Sequence, residues 1–181
     1  LTRKSKFHKG YYVGKGKNEV MGLVKAFNNS VFETYREISE IALQELYDYV
    51  LDVIDSQRYK WKPLSSGYLE HKKKAGLSEK TYIATGDYRS SIMILTQKDK
   101  GFVGLPQGTH KPSGLTYNHL ARILEFGVGM NKNPRVKQAQ FEPWVLPPRP
   151  LWRPALSWWI RKWNKYEEGM IVNLNKKVKK L

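Results

Sequence analysis

The stretch SVFETYREISEIALQELYDYVLDVIDS, Ser30 to Ser56, decides what kind of fold to expect. Val31, Tyr35, Ile38, Ala42, Leu46, Tyr49 and Val53 recur at helical spacing. Glu33, Glu37, Glu40, Asp48, Asp52 and Asp55 fall largely on other faces, which predicts a long amphipathic helix. Ser30 and Glu33 stand in the S-x-x-E spacing of a capping box, in which two side chains satisfy two otherwise unpaired backbone N–H groups. The helix is therefore expected to begin at Ser30. Ahead of it, a short helix is expected from Glu19 to Phe27, stopped by Asn28, Asn29 and Ser30, whose side chains compete with the backbone for hydrogen bonds.

Downstream, Arg58 to Pro63 is aromatic and ends at a proline, and Ser65 to Lys74 reads as a short polar helix stopped by Gly76. Ser90 to Gln97 and Gly101 to Leu105 are apolar runs separated by Lys98, Asp99 and Lys100, the pattern of a β-hairpin. Pro106 to Gly114 has the content of a loop. Thr116 to Phe126 reads as a compact helix with Leu120, Ile123 and Leu124 as its apolar stripe and Gly127 at its end. Pro150 and Pro154 bracket the start of a last helix running through Trp158, Trp159 and Trp163. Trp152, Trp159 and Trp163 share one face of it, with core packing as the default reading and a protein interface as the other.

These elements predict an α+β fold: a small antiparallel sheet flanked by a long N-terminal helix, a short helix and a C-terminal helix, with basic extended termini. A chain of 181 residues supports one domain plus extensions. The expected division is a basic arm over 1–18, one domain over 19–166 with an insertion loop at about 128–147, and a basic tail over 167–181. With 40% hydrophobic and 27% charged residues, the composition is that of a globular protein.

The net charge of +16 points to acidic or polyanionic partners. Arg3, Lys4, Lys6, Lys9, Lys15 and Lys17 occupy the arm without a carboxylate, and Lys176, Lys177, Lys179 and Lys180 the tail. Both clusters are candidates for contact with DNA or an acidic partner. The acidic helix between them gives the chain a polarity suited to stacking against copies of itself. No apolar stretch approaches the roughly 20 residues of a membrane span, and the first residues are too basic for a signal peptide, so no membrane partner is expected.

The absence of cysteine removes disulfides, thiolate zinc sites and thiol nucleophiles. His8, His71, His110 and His119 lack the one-turn spacing of a zinc-binding pair, and neither Gly14-Lys15-Gly16 nor Gly127-Val128-Gly129 has a phosphate-cradling pattern. No base, nucleophile and oxyanion donor assemble from the sequence, so neither an enzyme nor a cofactor or metal site is expected.

Three segments carry a resemblance. Thr85-Gly86-Asp87-Tyr88-Arg89-Ser90-Ser91-Ile92 resembles a T-G-x-L-R-x-S-I signature, and Ala121 to Gly127 resembles A-x-x-x-E-F/Y-G through Glu125, Phe126 and Gly127. Pro147 to Leu156 resembles P-x-R-P-F-x-R-P-A-L through Pro148, Arg149, Pro150, Trp152, Arg153 and Pro154. In this order, over roughly residues 30 to 165, they are similar to the minor tail-component and tail-completion proteins of long-tailed bacteriophages. Tyr88 stands where that pattern has leucine, Leu151 where it has phenylalanine, and the segment from Val128 to Leu146 is longer than the pattern suggests.

The resemblance implies a ring, commonly hexameric, in the neck of the virion, made in the bacterial host cytoplasm. Such a ring meets a head-completion or adaptor protein on one side and the tail terminator or tail tube on the other, with genomic DNA in its lumen. The motif residues are then candidates for shaping the fold or the subunit interface, and Arg149 and Arg153 for bidentate carboxylate contacts. The competing readings are a nucleic-acid-binding protein that grips a strand by charge and stacking, and another connector subunit such as a tail terminator or head adaptor.

Overall fold

The computed structural model describes residues 12–97, 100–127 and 146–180. The order of elements is α1 (Tyr12–Ser56), α2 (Ser66–Lys74), α3 (Asp87–Ser90), β1 (Met93–Gln97), β2 (Lys100–Gly104), β3 (Thr109–His110), β4 (Leu115–Thr116), α4 (Tyr117–Phe126), α5 (Trp152–Arg161) and α6 (Trp163–Val178). The fold is α+β, as expected. Strands β1 and β2 form the antiparallel hairpin, with Met93 opposite Gly104 and Gln97 opposite Lys100, and β3 pairs with β4 in a second small ladder.

Helix α1 is one continuous element where two were expected. Asn28, Asn29 and Ser30 lie inside it, and the Ser30 carbonyl accepts a 2.7 Å hydrogen bond from Thr34 Oγ1. The S-x-x-E spacing is thus not a helix start. The reason is energetic: three poor helix formers cost a few tenths of a kcal/mol each, roughly, whereas a break leaves up to four N–H and four C=O groups without helical partners. The helix stops at Ser56, after which Gln57 takes a left-handed φ of 54°. Its carboxamide pairs with the backbone of Thr81, donating to the carbonyl at 3.1 Å and accepting from the N–H at 3.0 Å.

Other elements differ from expectation: β3 lies within the stretch from Pro106 to Gly114 that reads as loop, its two residues pairing with β4. Ser90 belongs to the helical turn α3 and not to a strand, since the Ser90 and Ser91 hydroxyls both bond back to the Asp87 carbonyl. The last helix is two, α5 and α6, separated at Lys162. The termini are not extended where they are described: residues 12–18 and 167–178 are helical. Residues 1–11 of the expected arm and 128–145 of the expected insertion loop lie outside the described residues.

By contacts the described residues divide into two units. One is Glu40–Trp163; the other joins the described residues up to Ser39 with those from Asn164 onward. In the Glu40–Trp163 unit, Val50, Val53 and Ile54 of α1 pack with Tyr82, Tyr88, Ile92, Leu151 and Ala155 into the core, flanked by Leu46, Leu120, Leu124 and Trp152. The stripe read from the sequence is therefore buried over its second half. In the other unit, Gly169 of α6 faces Ile38 and Lys177 reaches Glu33 and Glu37, so α6 runs antiparallel to the first part of α1.

Candidate assembly site

Two of the sequence motifs are one structural device. Helix α5 begins at Leu151 and Trp152 with no side chain of its own to cap it, which leaves its first N–H groups without helical partners. Glu125, buried at the end of α4, supplies the cap from 26 residues away. Its Oε2 accepts from the N–H of Leu151 at 2.8 Å and of Trp152 at 3.0 Å, and its Oε1 accepts from the Arg153 N–H at 3.1 Å and Nε at 3.2 Å. A carboxylate at a helix N-terminus also meets the positive end of the helix dipole. Pro154 fits because a residue in the first turn has no N–H to spend on the helix.

Gly127 makes this approach possible. It holds φ at 74°, and a Cβ there would lie 2.5 Å from the Leu146 carbonyl oxygen and 2.9 Å from Pro148 N. The chain returns alongside α4, where the Arg149 N–H donates to the Leu124 carbonyl at 2.7 Å. Arg153 lies 4.9 Å from the centre of the exposed Phe126 ring. Pro148 is exposed, and the Pro150 carbonyl accepts from the Trp61 indole at 2.8 Å. Tyr88, a departure from the resembled pattern, is buried with its hydroxyl accepting from Trp152 Nε1 at 3.2 Å.

The first motif folds into α3. Gly86 supplies a φ of 87°, and Thr85 Oγ1 donates to the Asp87 carboxylate at 2.6 Å. Arg89 then reaches α1, with Nε and Nη2 donating to the two oxygens of Asp55 at 2.7 and 2.6 Å. This bond and the guanidinium charge hold Asp55 below the usual carboxylate range. The bidentate carboxylate contact expected of Arg149 is made by Arg89 instead, because the Arg149 side chain is buried.

The tryptophans divide between the two readings given to them. Trp158 stacks on Tyr49 at 3.7 Å, and Trp159 Nε1 donates to the Ala42 carbonyl at 2.8 Å, so both fasten α5 to α1. Trp163 meets Trp159 edge-on and is exposed together with Leu156 and Ile160, one residue per turn on the outer face of α5 and the start of α6.

A larger apolar face was not singled out in the sequence. Val20, Val24, Phe27, Val31 and Tyr35 follow one another at i, i+4, i+7, i+11 and i+15 on α1, and all are exposed. Met21 and Phe32 extend the face, at 62% and 58% exposure. On α6, Ile171 and Val172 are also exposed. Val31 and Tyr35 thus leave the expected core stripe. The signal was the same helical spacing, hidden by the assumption that the helix began at Ser30.

Among the basic candidates, Lys176, Lys179 and Lys180 are exposed. Lys177 is engaged within the chain by Glu37 at 2.9 Å and Glu33 at 3.5 Å. Lys15 and Lys17 lie in the backbone of α1, while Arg3, Lys4, Lys6 and Lys9 fall outside the described residues. Among the described residues no cluster of His, Asp or Glu could hold a metal ion, and no helix is long and apolar enough to cross a membrane. His110 is a core histidine satisfied by Ser113 Oγ at 2.8 Å.

No family profile, curated protein or solved structure matches this chain.

Proposed function

We propose that this chain is a structural subunit of the neck of a long-tailed bacteriophage, assembling with copies of itself into a ring between the head-completion protein and the tail. The observation that carries this reading is the exposed apolar face of α1 from Val20 to Tyr35. Soluble monomers rarely leave so long a stripe of large apolar side chains in water, because each buried one contributes about 1.5–3 kcal/mol. Repeated copies of a long amphipathic helix are a natural cover for such a face, and the exposed Leu156, Ile160 and Trp163 add a second contact. The order and content of the three resembled segments supply the particle and the neighbours. The ordering of Glu125 over α5 supports a rigid subunit that binds partners by shape, with the basic residues near both ends directed to DNA or to acidic neighbours.

Light scattering coupled to size-exclusion chromatography, followed by negative-stain imaging of the purified protein, tests the reading. A ring of several copies in the absence of DNA is the expected result. A protein that stays monomeric at tens of micromolar, or that becomes compact only on a nucleic-acid strand, would favour the nucleic-acid-binding alternative and remove the neck assignment.

A further inference from the structure

Between α2, the segment from Thr81 to Tyr88 and the inner side of α4 lies a half-open cavity of about 650 Å³ with a mostly apolar lining, including Leu64, Tyr68, Tyr82 and Leu124. This is the size of a pocket that encloses a small organic molecule or a few side chains. Two cations are buried in its wall. Lys72 is 2% exposed and Arg149 3%.

Among the described residues neither hydrogen-bonds a carboxylate, and Glu79 favours the charged Lys72 only through space. Lys72 Nζ donates to the Lys80 carbonyl at 2.9 Å, which occupies one of its three N–H bonds. The Arg149 guanidinium has only two long contacts, Nη1 to the Pro147 carbonyl at 3.5 Å and Nη2 to the Pro63 carbonyl at 3.4 Å, and its buried Nε has no partner. Among the described residues no carboxylate lines the cavity. Burial holds both side chains below their ordinary basicity, and Arg149 lowers Lys72 further by like-charge repulsion.

Two like charges with unfilled donors in an apolar wall are unfavourable for folding, and apolar residues of similar volume would be more stable. Such an arrangement persists where a ligand anion completes it. The Arg149 main chain is fixed on both sides, its N–H on Leu124 and its carbonyl accepting from the Tyr82 hydroxyl, so the side chain is anchored at its root beside the cavity. Tyr82 is itself kept at a left-handed φ of 67°. The apolar walls favour a singly charged, weakly hydrated head over a phosphate.

We propose that this cavity binds a carboxylate carried on an apolar body, with the carboxylate between Arg149 and Lys72 and the body against Tyr68, Tyr82 and Leu124. The carboxylate can come from a free amphiphilic acid or from an Asp or Glu beside a large apolar residue in a partner segment. The site stands whether or not the chain belongs to a phage neck.

Calorimetric titration of the full chain tests it with octanoate against octan-1-ol, and with acetyl-Leu-Glu-Phe-amide against acetyl-Leu-Gln-Phe-amide. At least one acid is expected to bind about tenfold or more tighter than its neutral counterpart, and the pair that does so identifies the source. Lys72→Met and Arg149→Met should each abolish that preference, with the thermal midpoint of Lys72→Met unchanged or raised. Arg149→Lys, which keeps the charge but not the planar fork, is the variant to read if Arg149→Met does not fold; it should weaken the acid and leave the neutral probe as it was. Equal binding of acid and neutral probe, binding of inorganic phosphate as tight as either acid, or no binding of either acid would overturn the proposal.

Discussion

The two ends of helix α1 use the same kinds of residue in opposite ways. Val50, Val53 and Ile54 are fully buried within the Glu40–Trp163 unit, whereas Val20, Val24 and Phe27, in the other unit, are roughly half exposed or more. Both sets follow helical spacing, so the helix itself does not distinguish them. What differs is the material around them. The Glu40–Trp163 unit brings Tyr82, Tyr88, Ile92 and Leu151 onto α1, while the described part of the other unit brings α6 alone. One unit has a closed core; the other leaves an exposed apolar face among the described residues, which the proposed ring would cover.

The sharpest way to break this contrast is to place the same charge at both ends. Asp at Val53 should unfold the protein, a loss of more than about 4 kcal/mol, because a carboxylate would be buried without a partner. Asp at Val24 together with Phe27 should leave the circular dichroism spectrum and the thermal midpoint nearly unchanged while dissolving the assembly, weakening self-association by about a hundredfold or more. Light scattering on both variants reads the difference. If the Val24 and Phe27 variant unfolds, this end of α1 is core after all.

Within the finished unit, Glu125→Ala should be the next largest effect. It leaves three backbone N–H groups and the Arg153 guanidinium without their acceptor, a destabilisation of about 3 kcal/mol measurable by urea denaturation. Gly127→Ala attacks the same junction through the backbone and should cost on the order of 2 kcal/mol, since both its φ and the space beside it exclude a Cβ. If both are neutral, the junction between α4 and α5 is not what orders the unit.

Smaller effects come from the exposed pairs. Arg89 and Asp55 are 35% and 47% exposed, so Asp55→Asn should cost no more than about 1 kcal/mol at neutral pH. The folded pKa of Asp55 is depressed below its ordinary 3.8. The contribution is therefore complete above that value and is lost as pH falls through the lower folded one. Wild type and Asp55→Asn should converge in stability only below about pH 4. Lys177, partly exposed near the end of α6, has its pKa raised by Glu37 and Glu33. Lys177→Ala should give the least change of all, confined to low salt and lost at high pH as the ammonium deprotonates.

How far these regions could be read in advance depended on how local their signals are. The hairpin from Met93 to Gly104, helix α4 with its terminal Gly127, and the proline-led start of α5 were legible because turn chemistry and periodicity act within a few residues. The Ser30 cap was misread by the same token. A local signal says that a helix could start there, and the continuation from Tyr12 outweighs it. The stacking of Trp158 on Tyr49 depends on a helix about 100 residues earlier, which no window of sequence contains.

The sequence by itself determined the fold class, the approximate place of most elements, the basic character of the chain and the three segments that organise its middle, since these follow from side-chain type and spacing. Only the tertiary structure decided that Glu125 caps α5, that Lys72 and Arg149 face one cavity with no carboxylate among its described lining, and that no described residue covers the Val20 to Tyr35 face. The physical reason is that burial and pairing are properties of whichever remote segments meet, so a residue's energy is fixed by neighbours that its own stretch of chain does not specify.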